Sequence, residues 1–148
     1  MQSAAVYELK DRVLIHPWQR TTEGLGMASE PYVTLPLDAD AKTLGTSVLR
    51  ALEQSGRTIP HPTSWRGLEA ARLEAAGVKS ERGFQLNARS VSVDRSADSL
   101  RIEPSRNGGA SGDTKGFAPL PELSTSLPLH ASAEQLGAAV RAGLERCA

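Results

Sequence analysis

Residues 35–55, LPLDADAKTLGTSVLRALEQS, return near the C-terminus as residues 127–147, LPLHASAEQLGAAVRAGLERC. Aligned without a gap, about half of the positions are identical. Leu-Pro-Leu opens both, Leu44-Gly45 falls on Leu136-Gly137, Val48 on Val140, and Leu52-Glu53 on Leu144-Glu145. Each copy predicts a short extended piece followed by a helix. Proline keeps the residue before it out of the helical region, so both copies begin extended. Asp40 and Ser132 then stand where an N-cap is needed, and Ser132 with Gln135 has capping-box spacing. Leu44, Val48 and Leu52, like Leu136, Val140 and Leu144, recur every four residues as one apolar helical stripe. Gly45 and Gly137 each cost about 1 kcal/mol against alanine inside a helix. The expected compensation is a close approach of helix to sheet where no side chain intervenes.

The likeness continues upstream. RVLIHPWQRTTEGLG (12–26) and SLRIEPSRNGGASG (99–112) each read as a strand, a proline and a polar glycine-bearing turn. Each half then reads as strand, strand, strand, helix. Two explanations stand side by side: a duplicated β-β-β-α unit, or two ordinary strand-to-helix joints that obey the same capping rules. Either way the fold class expected is α+β, a mainly antiparallel sheet covered by about three helices.

Around the repeats, β-favouring residues from 4 to 16 predict a hairpin turning at Lys10-Asp11-Arg12. Residues 21–31 read as a polar loop and 32–37 as a strand. The first repeat helix is expected over 41–55, with Gly56 just past its end. SGRTIPHPT connects it to a second helix over 65–76, with Trp65, Leu68 and Leu73 near one face, Ser64 as its cap and Gly77 as its stop. ARSVSVD (88–94) and LRIEP (100–104) alternate as a hairpin with Val91, Val93, Leu100 and Ile102 inward. NGGASGD (107–113) reads as a mobile loop. The proline-interrupted pieces 117–120 and 127–129 suit sheet edges, and the last helix spans 133–146.

At 148 residues with 39 % hydrophobic content, the chain suits one domain with its own core. Seventeen Lys and Arg balance seventeen Asp and Glu, so no global field draws it to nucleic acid or an anionic membrane. The single cysteine, Cys147, has no internal partner. No apolar run reaches the ~18 residues of a membrane span, and MQSAAVYELKDR lacks the order of a signal peptide. The expectation is a soluble cytoplasmic protein with no membrane partner.

Few residues suggest chemistry. His16, His61 and His130 have neither HExxH nor C-x-x-C surroundings, so no metal is expected. Ser111 lies among turn glycines rather than in a strand-to-helix elbow. Asp38, Asp40 and Glu122 sit at helix starts or loops, where acids favour the local dipole. The arginines are dispersed and aromatic residues number six, giving no stacking platform for nucleic acid. Two alternatives stay open: His61, between Pro60 and Pro62, is the remaining candidate for general acid–base work in a small hydrolase or nuclease, and a nucleic-acid-binding regulatory module would be marked by binding that weakens steeply with salt. The simpler reading makes His61 a linker residue between two helices.

Several pieces in order carry a resemblance: TTEGLG (21–26), KTLGTSVLRALEQSG (42–56), IPHPTSW (59–65), LEAAGVKS (73–80), SVSVD (90–94), PSRNGGASGDTKGFAPLPE (104–122) and ASAEQLGAAVRAGLERC (131–147). Together they resemble the immunity proteins of bacterial contact-dependent growth inhibition systems, over nearly the whole chain. The resemblance implies a cytoplasmic binding protein that neutralises the C-terminal domain of a cognate toxin. It implies a nuclease as that toxin, an RNase or tRNase first, and neither cofactor nor catalysis. An inhibitor of a nuclease profits from acidic surface, so in a neutral chain the contacts are expected at local groups. Glu23 and Glu30 flank the first loop, with Asp38 and Asp40 nearby and Trp18 as an aromatic anchor. Arg106, Asn107 and Asp113, on the second loop, are the pseudo-symmetric alternative.

Overall fold

The computed structural model describes every residue from Met1 to Ala148, and in it the two repeats become the two halves of a sheet. The first half contains β1 (Gln2–Glu8), β2 (Val13–Thr21), β3 (Gly26–Ala28), β4 (Val33–Leu35) and α1 (Ala41–Gln54). The second contains β6 (Arg89–Arg95), β7 (Ser99–Asn107), β8 (Phe117–Pro119), β9 (Thr125–Pro128) and α4 (Ala133–Glu145), with a 3-10 turn at Pro121–Leu123. Between the halves lie β5 (Thr58–Ile59), α2 (Ala70–Ala76) and α3 (Glu81–Gln85). The sheet runs β3-β2-β1-β6-β7-β8, with β4 also beside β2 and β9 also beside β7. All of these pairs are antiparallel; β5 alone pairs in parallel, with β2.

The pairing obeys a pseudo-two-fold axis between β1 and β6. Ala4 pairs with Val93 while Val6 pairs with Val91. Ala4 faces Pro17 on β2 as Val91 faces Pro104 on β7. β2 is shared by β3 at Trp18–Arg20 and β4 at Val13–Ile15, and β7 by β8 at Ser105–Asn107 and β9 at Ser99–Ile102. The equivalence extends to the helix exits: the Gly56 amide donates to Trp18 O at 3.1 Å, and the Ala148 amide to Ser105 O at 3.1 Å. Each half is thus β-β-β-β-α, one strand more than the expected β-β-β-α, because β3 lies inside the segment read as loop.

The α+β expectation holds, with four α-helices rather than about three. The second helix is shorter than expected. It begins at Ala70, not Trp65, because Gly67 takes a φ of +76° that breaks the helical run. Ser64 does not cap it, and Trp65 and Leu68 are exposed instead of facing a core. Gly77, with φ of +74°, does end it. α3 is capped by Ser80, whose hydroxyl accepts from the Gly83 amide. The glycine-rich stretch expected to be a mobile loop is closed by hydrogen bonds, from Gly108 N to Gly116 O and from Gly116 N to Gly109 O.

Strand alternation separates two faces of the sheet. On one, Ala4, Val6, Val13 and Ile15 and their equivalents Val91, Val93, Leu100 and Ile102 meet the stripes of α1 and α4. Leu44, Val48, Leu52, Leu136, Val140 and Leu144 are all buried there, each burial stabilising the fold by about 1.5–3 kcal/mol. Asp40 caps α1 through the Thr43 amide, and Ser132 with Gln135 forms a complete capping box on α4. Gly45 and Gly137 allow a close approach, but of helix to helix rather than helix to sheet. A methyl on Gly45 would sit 1.7 Å from the Ala133 carbonyl oxygen, and one on Gly137 would sit 1.7 Å from that of Ala41.

On the other face the halves diverge. Leu14, His16 and Trp18 of β2 correspond to Arg101, Glu103 and Ser105 of β7, and Ala5 and Tyr7 of β1 to Ser92 and Asp94 of β6. In the first set Ala5, Tyr7 and Leu14 pack with Leu73 and Ala76 of α2 and Phe84 of α3, Trp18 lies at the margin, and His16 is the one buried polar ring. The inserted α2 and α3 thus roof one half of this face, and the polar half needs no roof. No helix is long and apolar enough to cross a membrane.

Candidate functional site

β2 runs nine residues to Thr21 and turns through Gly24 into β3. The turn is pinned by one hydroxyl. Thr21 is 2 % exposed, and its Oγ1 accepts from the Leu25 amide at 3.1 Å and the Glu23 amide at 3.3 Å. Both lone pairs are therefore in use, and its proton goes to His61 Nδ1 at 2.9 Å. This network assigns the imidazole hydrogen to Nε2, which faces Glu23 Oε2 at 3.3 Å.

The connector 56–61 is laced to the same strand. Arg20 N donates to Arg57 O at 3.0 Å and Thr22 N to Ile59 O at 2.9 Å. The buried amide of Gln19 closes the arrangement: its Nε2 donates to Gln54 O at 2.7 Å and Ser29 Oγ at 3.0 Å, and its Oε1 accepts from Arg57 N at 2.8 Å. Hairpin, helix end and connector therefore form one hydrogen-bonded corner.

Beside this corner lies a cleft of about 400 Å³ lined by Ser3, Trp18, Arg20, Thr58, Ser92 and Asp94, among others. Trp18 is half-buried. One side of it packs edge-on against His16, with ring centroids 5.0 Å apart, and on the second apolar cluster; the rest lines the cleft. Ser3 Oγ donates to Asp94 Oδ1 at 2.6 Å on the cleft floor. His16 is fully buried, and desolvation pushes its pKa down to about 4, so it is neutral. Its Nδ1 donates to Pro17 O at 2.9 Å.

Glu23, His61 and Thr21 reproduce the acid–imidazole–hydroxyl order of a hydrolase relay. The hydroxyl, however, is buried and already accepts two amides, leaving no lone pair for attack on a substrate. His61 ties the connector to the hairpin. No three His, Cys, Asp or Glu side chains converge as a metal ion would require. The Cys147 thiol donates to Ser90 O at 3.3 Å. It thus takes the place that the Ser55 hydroxyl holds beside Ser3 in the first half, where the Ser3 amide donates to Ser55 Oγ at 2.9 Å.

The acidic candidates are strung along the β3–β4 edge rather than gathered in one loop. Glu23 lies at the hairpin tip, Glu30 between β3 and β4, and Asp38 and Asp40 beyond β4, all exposed. Asp40 holds the Thr43 amide at 2.7 Å, which keeps its carboxyl below the usual carboxylate range. Arg106 and Asn107 lie on β7 and Asp113 in the loop that follows it, with β1 and β6 between them and the β2–β3 hairpin. The two groups are therefore alternatives, not one patch. Arg106 and Asp113 are exposed, whereas Asn107 is engaged inward. Its Nδ2 donates to Gln85 O and Ala88 O at 2.7 and 2.8 Å, and its Oδ1 accepts from Gln85 Nε2 at 2.9 Å. Sequence reasoning passed over Thr21, Gln19, Asp94 and the exposure of Trp65. Only the last had a local signal, the turn-like Ser64-Trp65-Arg66-Gly67.

The sequence matches the family model described as CDI immunity protein over residues 2–147. No curated protein matches it. A solved protein of unknown function from Neisseria meningitidis has the same fold, with 26 % identity and a TM-score of 0.77, over 99 % of this chain and 95 % of that one. A chain of a CdiA-CT/CdiI toxin and immunity complex from Yersinia pseudotuberculosis aligns with 18 % identity and a TM-score of 0.75, over 99 % of this chain and 97 % of that one.

Proposed function

The chain belongs to the CDI immunity protein family, and from that premise we propose that it binds and neutralises the C-terminal toxin domain of a cognate contact-dependent growth inhibition toxin in the cytoplasm. The observation that carries this reading is a family match spanning residues 2–147. Binding suffices for the function, and no catalytic step is assigned to the chain. The toxin is taken to be a nuclease, an RNase or tRNase first. A nuclease must present cationic surface to phosphate, and Glu23, Glu30 and Asp38 offer a line of exposed acids along one sheet edge to meet it. Trp18 and the cleft beside it, next to the hairpin that carries Glu23, supply the aromatic part of the contact. Arg106 and Asp113 remain the second choice, on the other half of the sheet.

Co-expression tests this directly. The toxin domain encoded beside this chain should arrest growth alone, and the chain should restore growth and co-elute with the toxin domain. No complex at micromolar concentration, with growth arrest unrelieved, would remove the proposal.

A further inference from the structure

Trp65 is the one aromatic residue among the exposed large side chains, with 53 % of its surface in water. It does not hang free. The His61 ring stands edge-on to it, with centroids 5.5 Å apart and planes at 83°. His61 is itself held at three atoms: Nδ1 by the Thr21 hydroxyl, Nε2 facing Glu23, and its amide donating to Thr22 Oγ1 at 3.3 Å. Pro60 and Pro62 fix the backbone torsion on either side of it. Leu25, on the same hairpin, and Leu68, three residues past Trp65, are each 43 % exposed. At the edge stands the Glu23 carboxylate, with 68 % of its side chain exposed.

A large apolar ring on a stiff mount loses little freedom when a partner covers it, which is the condition for an interface anchor. We propose that Trp65 is an anchor of the toxin interface and that His61 is the positioning residue that presents it. The proposal rests on the immunity reading above. The matching surface on the toxin domain is an apolar recess with a basic side chain on its rim, opposite Glu23. His61 thereby gains a role without chemistry: it couples the proline-bracketed connector to the hairpin so that Trp65 is already placed.

The experiment is calorimetric titration of the toxin domain encoded beside this chain into wild type, Trp65→Ala, Trp65→Phe and His61→Ala, with thermal unfolding of each variant alone. Trp65→Ala should weaken binding by roughly 30-fold or more with an unchanged unfolding temperature, and Trp65→Phe should restore most of the loss. His61→Ala should weaken binding and shift the emission of Trp65, read in free Trp18→Phe protein where Trp65 is the remaining indole. His61→Asn, whose amide oxygen can accept from Thr21 as Nδ1 does but which lacks the ring against Trp65, should recover part of the affinity and leave the emission shifted. A second readout covers variants that fail to fold. With 5-fluorotryptophan in the chain, the Trp65 fluorine resonance should shift on saturation with toxin domain. A resonance that stays in place, or a Trp65→Ala affinity within about threefold of wild type, overturns the proposal and leaves the immunity reading intact. Failure of wild type to bind the toxin domain overturns both.

Discussion

Gly45 and Gly137 meet the opposite helix through the same atom, a first-turn carbonyl oxygen, at the same 1.7 Å from an added methyl. Helix propensity favours alanine over glycine by about 1 kcal/mol. Here the added methyl would overlap backbone, which cannot rotate aside, and forced overpacking costs about 1–3 kcal/mol or more. Gly45→Ala and Gly137→Ala should therefore each destabilise the protein, by similar net amounts of about 2 kcal/mol, as read from urea midpoints at constant m-value. A stabilised variant would refute the helix–helix contact. His16 makes a pH prediction at the same scale. Its folded pKa is lowered from 6.5 to about 4 by burial, so below 6.5 the unfolded chain binds a proton that the native state refuses. Stability is then complete above about pH 6.5 and falls as pH drops toward 4, by roughly 3 kcal/mol in total. Urea unfolding at a series of pH values should show this slope in wild type and lose most of it in a folded His16→Gln variant. A slope unchanged in that variant would assign the loss to other groups.

At the scale of elements, what the sequence disclosed was whatever local chemistry alone determines. The hairpins β1–β2 and β6–β7 follow from alternation, and Val91, Val93, Leu100 and Ile102 are buried as that alternation requires. The two long helices follow from their caps and four-residue stripes. β3 and β5 were invisible because each has only two or three residues and exists through pairing with β2. α3, at five residues, depends on Phe84 reaching the second core cluster. The helix drawn from Trp65 failed for the converse reason: its apolar spacing was helical, but Gly67 turned the chain first. The site divides in the same way. The place of Glu23 in a turn and of His61 in a connector was legible in their turn and proline context. The Thr21 and Gln19 clamps were not, since their partners lie about 35–40 residues away. Nothing local distinguishes a buried clamp from a surface threonine or glutamine.

The whole molecule is two copies of one unit that share an inner face and differ on the outer one. The inner contacts across the axis are β1 with β6 and α1 with α4, and the second half holds a close counterpart of every element in the first. Two copies of residues 89–148 can therefore supply each other's missing half. β6 would pair with its twin so that Val91 lies opposite Val93, and α4 would pack on its twin with Gly137 at the partner's first turn. The outer face of this half is mostly polar, with Ser90, Ser92, Asp94, Arg101 and Glu103, and Phe117 of β8 is the one large apolar side chain that it lends to the second cluster. The first half has no such freedom: without α2 and α3, Ala5, Tyr7 and Leu14 would lie bare. We expect residues 89–148, made alone, to fold as a two-fold dimer with a concentration-dependent unfolding temperature. Residues 1–56 should instead aggregate or remain unfolded. Light scattering and circular dichroism decide the matter. If 89–148 stays monomeric and unstructured at about 100 μM, the symmetry of the backbone is not matched by a symmetry of stabilisation, and the inserted helices must then be holding both halves together.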